Sequence, residues 1–460
     1  MSANWNNVVF AAVAAAFPHA ALGQPATPPA NDLHHAMLVA QDNYPAVAVA
    51  LQRERAADRG VDIARTEYAP RVDVLYQANR STVNNITGLV LPQSVMPSIS
   101  GPPLSERGQT AYNSAVGILF SWQPFDFGYR GSLVASARAR ATAAEQDVIL
   151  TRIDVEAAVS TAYLNLAAAQ RLDAVAQANV RRIETFRNAV DVLVENKLRA
   201  GVEGQVARAA LAQAQAVQAQ AARDVARHRA TLEKLTGEVW PPEPLPVPNV
   251  LQEPLPVGAG VESHPLAKRS QALVAAAQKD LAATNSSYAP TVSLIGSASA
   301  RGGGRIDEDR YVSGTEGLKP DTGNWGVGVQ LSFPLGSIFA VRAKGAQQSA
   351  NLEAEKLRYR QTLADLEERQ KQADATVLAA RELARIAPQG LAAARLGMDQ
   401  QQARFRSGLV SSVEVTAAAA QLAQAEAQEA IARIDLLRAL AEQAIARGDM
   451  APFHSAIGQP

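Results

Sequence analysis

Residues 132–200 contain neither glycine nor proline, and this stretch constrains what the chain can fold into. It is filled with Ala, Leu, Gln, Glu, Arg and Val, mostly residues that lose little side-chain freedom in a helix. At 1.5 Å per residue, one unbroken helix of this length would measure roughly 100 Å. No single globule is that wide, so the helix needs lateral partners along its whole length, as in a coiled-coil bundle. The rest of the sequence must supply them.

Upstream, a Pro/Ala-rich lead precedes a short helical segment for which Asn31 or Asp32 is a suitable N-cap. Tyr44-Pro45 opens a second helical pattern and Tyr68-Ala69-Pro70 closes it, because proline suits the first turn of a helix and disrupts its interior. Past Pro70 the period drops to two, and Val72, Val74 and Tyr76 alternate with Asp73, Leu75 and Gln77. After a polar loop over 80–109, Val116, Ile118, Phe120 and Trp122 form one face of a second alternating run. Ser114, Gly117, Leu119, Ser121 and Gln123 are assigned to its other face. The two runs read as a hairpin of strands, about 71–124. Gly201 is expected to end the long helix as its C-terminal cap residue. A tip over 201–204 and a helix over 205–237 complete the unit.

A Pro-rich linker over 241–262 resists both helix and sheet. Then the order repeats: Pro265 and Pro290 reproduce the spacing of Pro45 and Pro70. A strand pair over about 291–334 follows, in which Trp325, Val327, Val329, Leu331 and Phe333 alternate with small or polar residues. A long helix over 339–406, a tip at Ser407-Gly408 and a helix over 411–447 finish the second unit. The chain therefore divides into a first repeat (24–240), the linker, a second repeat (263–447) and a tail (448–460). The expected fold class is mainly α with a small β part: duplicated long helical hairpins and four β-strands per chain. In the last helix Ala420, Ala423, Ala427, Ala430, Ile434, Leu437, Ala441 and Ala444 trace a heptad seam. Pro388 and Gly390 interrupt the second long helix, where a kink is expected.

Charges cancel at net zero, which removes the electrostatic case for nucleic acid. The absence of cysteine excludes thiolate metal sites, cysteine nucleophiles and disulfides. Aromatics are only 5%, as suits a thin bundle without a thick core. Residues 8–23 form the one sustained apolar run, too short and too broken by Pro18-His19 to span a membrane as a helix. A secretory leader over 1–23 is the expectation, although residues 1–7 carry no Lys or Arg. His34-His35 is read as a solvated or capping pair, not a metal site, since the other four histidines are scattered. Asp307-Glu308-Asp309 and the Gly-rich run 301–305 are read as hydrated loop. No nucleophile elbow, phosphate-binding loop or HExxH motif is present, so neither enzyme activity nor a cofactor is expected.

Strands of about ten residues, apolar on one face and small or polar on the other, match transmembrane β-strands. Trp122, Trp325 and Phe333 lie on the apolar faces and are expected to meet lipid. Four strands cannot close a barrel, and an open edge is not tolerated in lipid. Such a chain must be completed by copies of itself.

The layout resembles the TolC-type outer-membrane efflux proteins. The resemblance rests on Asn43-Tyr44-Pro45 and Ser263-His264-Pro265, on Tyr-Ala-Pro before each strand pair, and on the runs 120–128 and 331–336. It also rests on the tips, Leu198-Arg199-Ala200-Gly201 and Phe405-Arg406-Ser407-Gly408. It covers nearly everything from Asn31 to Arg447. The resemblance implies a homotrimer with a twelve-stranded outer-membrane barrel, continued by a helical tunnel across the periplasm. It further implies a passive exit duct that works with a periplasmic adaptor and an inner-membrane transporter. By the same resemblance Glu414 matches an acidic position at the periplasmic aperture. Gly201, Val202, Gly408, Leu409 and Val410 lie at the tips that would meet the adaptor. Ala207 and Ala417 stand where relatives often carry acids. The competing readings are a periplasmic coiled-coil adaptor and a helical scaffold without a pore.

Overall fold

A computed structural model describes residues 32–83, 109–248, 260–302, 306–307, 310–311 and 315–457. The expected leader, most of the 80–109 loop and part of the second loop lie outside the described residues.

Each repeat places a shorter helix before its strands and a long helix and a return helix after them. In the first repeat α1 (Leu33–Asn43) and α2 (Pro45–Thr66) precede strands β1 (Arg71–Val83) and β2 (Gln109–Phe125). The long helix α3 (Tyr129–Glu195) and the return helix α4 (Gly201–Thr236) follow. The second repeat runs α5 (Pro265–Ser286), β3 (Thr291–Gly302), the two-residue strands β4 (Ile306–Asp307) and β5 (Arg310–Tyr311), and β6 (Thr322–Ser332). It continues with α6 (Ile338–Arg406) and α7 (Ser412–Arg447), and the short helix α8 (Ala451–Ala456) comes last. The duplication is close: α2 and α5 each have 22 residues, and α4 and α7 each have 36.

The helices form four columns side by side. α3 packs on α2 and α4 along one flank and on α5 and α7 along the other, while α6 packs chiefly on α5 and α7. The wall therefore reads α2/α4, α3, α5/α7, α6, with α4 and α6 at its lateral edges. One core lies at the waist, where Leu33, Met37, Tyr163, Leu166, Leu437 and Phe453 are fully buried. A second lies toward the tips, around Phe186, Val190, Ala207, Phe405 and Val415.

Two expectations need correction. First, α3 ends at Glu195, and the left-handed residue that turns the chain is Lys197 (φ 60°), not Gly201. Leu198 N donates to Leu193 O (2.9 Å) and Lys197 N to Val194 O (3.0 Å), a Schellman-type closure made without glycine. Gly201 is instead the first residue of α4. The second tip uses the same closure with Gly408 (φ 77°), where Leu409 N donates to Arg404 O (2.9 Å). Second, the heptad seam of α7 holds only in its upper half, where Ile434, Leu437, Ala441 and Ala444 are buried. Nearer the tip the buried stripe is Val415, Ala419 and Leu422, while Ala420, Ala423 and Ala427 line a groove between α3, α4 and α7. Alanine was too frequent there to reveal which stripe faces inward. α6 runs on through Pro388 and Gly390 without ending there.

The linker also does more than extend. Trp240 and Leu245 are buried against α3; Tyr163 Oη donates to Pro246 O (2.8 Å), and Leu245 N donates to Gln170 Oε1 (2.9 Å). Its first half is thus strapped to the waist.

Candidate functional site

The four longer strands make one antiparallel sheet in the order β1-β2-β3-β6. Its register joins the alternating faces of the separate strands into one surface. Val74 pairs with Ile118, Ile118 with Ala298 and Ala298 with Trp325; Val72 pairs with Phe120, Phe120 with Gly296 and Gly296 with Val327. One face therefore carries Val72, Val74, Tyr76, Ile118, Trp122, Leu294, Trp325, Val327, Val329 and Leu331. Most of its large side chains are exposed, Trp325 at 83% and Val327 at 73%. The opposite face carries Asp73, Gln77, Ser121, Ser297, Ser299, Asn324 and Gln330, together with Gly326 and Gly328 and the apolar Leu75, Leu119 and Ile295. Among the described residues, the sheet's outer strands β1 and β6 each lack a neighbour on one side.

Ser114 belongs with Val116 and Ile118 by parity, not with the polar face. It is nevertheless buried, because the turn Thr315–Leu318 folds back over it and its hydroxyl donates to Gly317 O (2.9 Å). A side chain at the facing Gly302 would collide with the backbone carbonyls of Lys319 and Gly317, so the close approach requires glycine there.

The corner between sheet and columns is fixed by Arg130, which is buried. Its backbone N–H (2.8 Å) and Nε (2.7 Å) both donate to Asp126 Oδ2, and Nη1 donates to Glu67 O (2.8 Å). Nη2 donates to Gln123 O, and the guanidinium lies over the Tyr68 ring at 4.7 Å. Trp122 Nε1 donates to Tyr68 O (3.1 Å), and Phe333 packs against Tyr288 at 5.3 Å between ring centroids. Two of the sequence-selected aromatics thus sit at the helix-side border of the apolar face, while Trp325 lies near the other end of β6. The eight-residue step from Trp325 to Phe333 runs about 26 Å along the strand, which at a barrel tilt of about 40° rises about 20 Å, most of the apolar band of a transmembrane barrel.

At the far end of the columns, Leu198, Val202, Leu409 and Val413 are exposed, whereas Val410 is partly buried against the tip core. Glu414 closes a capping box: Ser411 N donates to Glu414 Oε2 (3.0 Å), as does the Ser411 hydroxyl, while Val413 N donates to Ser411 Oγ (3.3 Å). The Ser411 hydroxyl is the main reason the Glu414 carboxyl is held below the usual range. Alignment of the two tips on their left-handed residues makes Glu203 the counterpart of Glu414, each being the third residue of its helix. Sequence reasoning passed over this equivalence because it aligned Gly201 with Gly408. Glu203 is partly buried and accepts from Arg199 Nη1 (3.3 Å). Arg199 also reaches across to the second tip, donating to Phe405 O (3.0 Å) and Val410 O (3.3 Å), with its guanidinium 4.7 Å from the Phe405 ring.

Among the described residues no helix is long and apolar enough to cross a membrane, and no group of three acidic or histidine side chains could hold a metal ion. A sheet with one continuous apolar face, one face of mixed small, polar and apolar residues and, among the described residues, two open edges, carried on helical columns, is the wall segment of an outer-membrane channel with a helical tunnel. The family model for outer membrane efflux proteins matches residues 38–238 and 261–446, and the chain belongs to that family. It is 29% identical over 291 residues to protein CyaE of Bordetella pertussis, an alignment covering 60% of this chain and 56% of that relative. The chain thus spans little more than half the length of that curated relative. The fold matches the Campylobacter jejuni CmeC outer membrane channel (TM-score 0.77, 15% identity, 90% of this chain and 85% of that one). It also matches the Neisseria gonorrhoeae MtrE outer membrane channel in its open state (TM-score 0.73, 18% identity, 91% and 89%). The sheet therefore lies in the outer membrane and the helical part in the periplasm.

Proposed function

We propose that three copies of this chain close a twelve-stranded barrel and a continuous helical tunnel, and that the assembly is a passive exit duct. The observation that carries this reading is the pair of open strands, β1 and β6, at the borders of an apolar face. Unpaired backbone groups cost several kcal/mol each in hydrocarbon, and pairing β1 of one copy with β6 of the next removes them. The same operation joins α6 to the neighbouring α2/α4 column. Trp122, Trp325 and Phe333 then face lipid, and the Ser-, Asn- and Gln-bearing face lines the bore.

In this reading the chain does no chemistry and needs no cofactor; energy for transport comes from an inner-membrane transporter linked through a periplasmic adaptor. The tips, with Gly201, Val202, Gly408, Leu409 and Val410, are the adaptor's contact. Glu414, and by structural equivalence Glu203, set the charge near the closed periplasmic end, where acidic rings favour cations. Residues 1–23 serve as the export leader of a chain built from repeats 24–240 and 263–447. Reconstitution into planar bilayers tests the duct: discrete conductance steps support it, and a silent bilayer despite correctly folded protein in detergent refutes it.

A further inference from the structure

The waist holds a cluster of titratable side chains that the duct does not use. His34 from α1, Glu156 from α3 and His454 from α8 meet there. His454 Nε2 lies 3.2 Å from Glu156 Oε2, and the His34 and His454 rings stand edge to face with centroids 5.6 Å apart. Glu156 Oε1 already accepts from Gln41 Nε2. The Nδ1 atoms of both His34 and His454 are buried with no hydrogen-bond partner. That is tolerable for a neutral ring nitrogen and costly for a charged N–H.

The other charged groups facing the cluster are engaged. From α1, Asp32 accepts from the His35 backbone N–H (2.7 Å), and His35 itself pairs with Glu238 beyond α4 (3.1 Å). Asp32 and Glu156 both lie near His34, but neither accepts a hydrogen bond from its ring; of the His34 and His454 rings, Glu156 is bonded to that of His454 alone. Burial, then His454, push the His34 pKa down, with Asp32 and Glu156 opposing. α8 is only six residues long, and Phe453 is its one buried side chain.

We propose that α8 is a clasp on the waist that acidification releases. A proton on His34 sets a cation edge to face against the His454 ring and leaves its buried Nδ1–H without an acceptor, and undocking of α8 relieves both. Release withdraws Phe453 from the core that joins α1, α3 and α7. The inference needs only the fold of one chain and stands apart from the pore reading.

Hydrogen–deuterium exchange of the full-length protein in detergent tests it, with rates corrected for intrinsic pH dependence. Between pH 7.5 and 5.0, protection over 451–456 is expected to fall at least tenfold while α3 over 156–168 keeps its protection. His34→Phe, which retains an aromatic edge but cannot titrate, and His454→Gln, which retains a donor to Glu156, are each expected to reduce that fall to less than threefold. Unchanged protection in the wild type, an equal fall in the variants, or loss of α3 protection together with α8 would each overturn the proposal.

Discussion

At the scale of single residues, the two tips offer a natural comparison. Lys197 and Gly408 occupy the same left-handed position, which costs a non-glycine residue roughly 1–2 kcal/mol. Part of that is offset by the extra unfolded-state freedom of glycine. Lys197→Gly should therefore stabilise the first tip by about 0.5–1 kcal/mol, read as slower exchange of the 193–198 amides; faster exchange would contradict the assignment.

Glu414 has two separable roles, as a cap and as a charge. Glu414→Gln keeps an acceptor for Ser411 and removes the charge, whereas Glu414→Ala removes both. Both variants should raise the low-salt conductance of the reconstituted channel and lower its cation preference. Unchanged conductance and selectivity would eliminate the aperture role. His264 caps α5 through Nδ1, which accepts from Leu266 N (3.0 Å). Burial pushes its pKa below the usual 6.5, the Ile445 carbonyl opposing and Arg369 assisting. Because the folded state favours the neutral ring, its stability contribution is complete above pH 6.5 and is lost as pH falls toward the lowered folded value. His264→Asn, a cap that does not titrate, should flatten the melting-temperature profile over this range; an unaltered slope would assign the dependence elsewhere.

At the scale of elements, the strands and helices were largely legible. Pro45, Pro70, Pro265 and Pro290 mark real helix boundaries, because proline lacks the N–H that a helix interior requires. Strict alternation from Trp325 to Phe333 gave β6 because period two has no helical counterpart. What could not be read depends on long-range packing. The Pro-rich linker carries no periodicity, so the docking of Trp240 and Leu245 on α3 had no local signal. Arg130 resembles any other helix-start arginine until the strand end and Tyr68 are brought to it. His34-His35, taken as solvated or capping, has Asp32 as the cap and a distant His454 as neighbour, a contact 420 positions away along the chain.

The register makes a paired prediction for the sheet. Val327→Arg puts a charge on the apolar face and should cost about 2–4 kcal/mol near the bilayer midplane, sharply reducing the amount recovered from outer membranes. Ser297→Arg, across the sheet on the polar face, should leave recovery near wild type and alter conductance instead. Equal loss in both would mean that the faces have been assigned the wrong way round.

At the scale of the whole molecule, symmetry completes what one chain leaves open. Its sheet ends in two unpaired strands and its wall in two unpaired columns. A closed ring of copies satisfies both at once, whereas an isolated chain exposes an apolar surface and strand edges that invite aggregation. The stacking of α2 on α4 and α5 on α7 lets two shorter helices match one long one, so the columns keep a common height. The most direct test is the mass of the purified protein in detergent, by light scattering with the detergent contribution subtracted. The account predicts three times the 48.6 kDa chain, less any removed leader, in a species that resists dissociation on mild heating. A monodisperse monomer that stays in solution without detergent would contradict it.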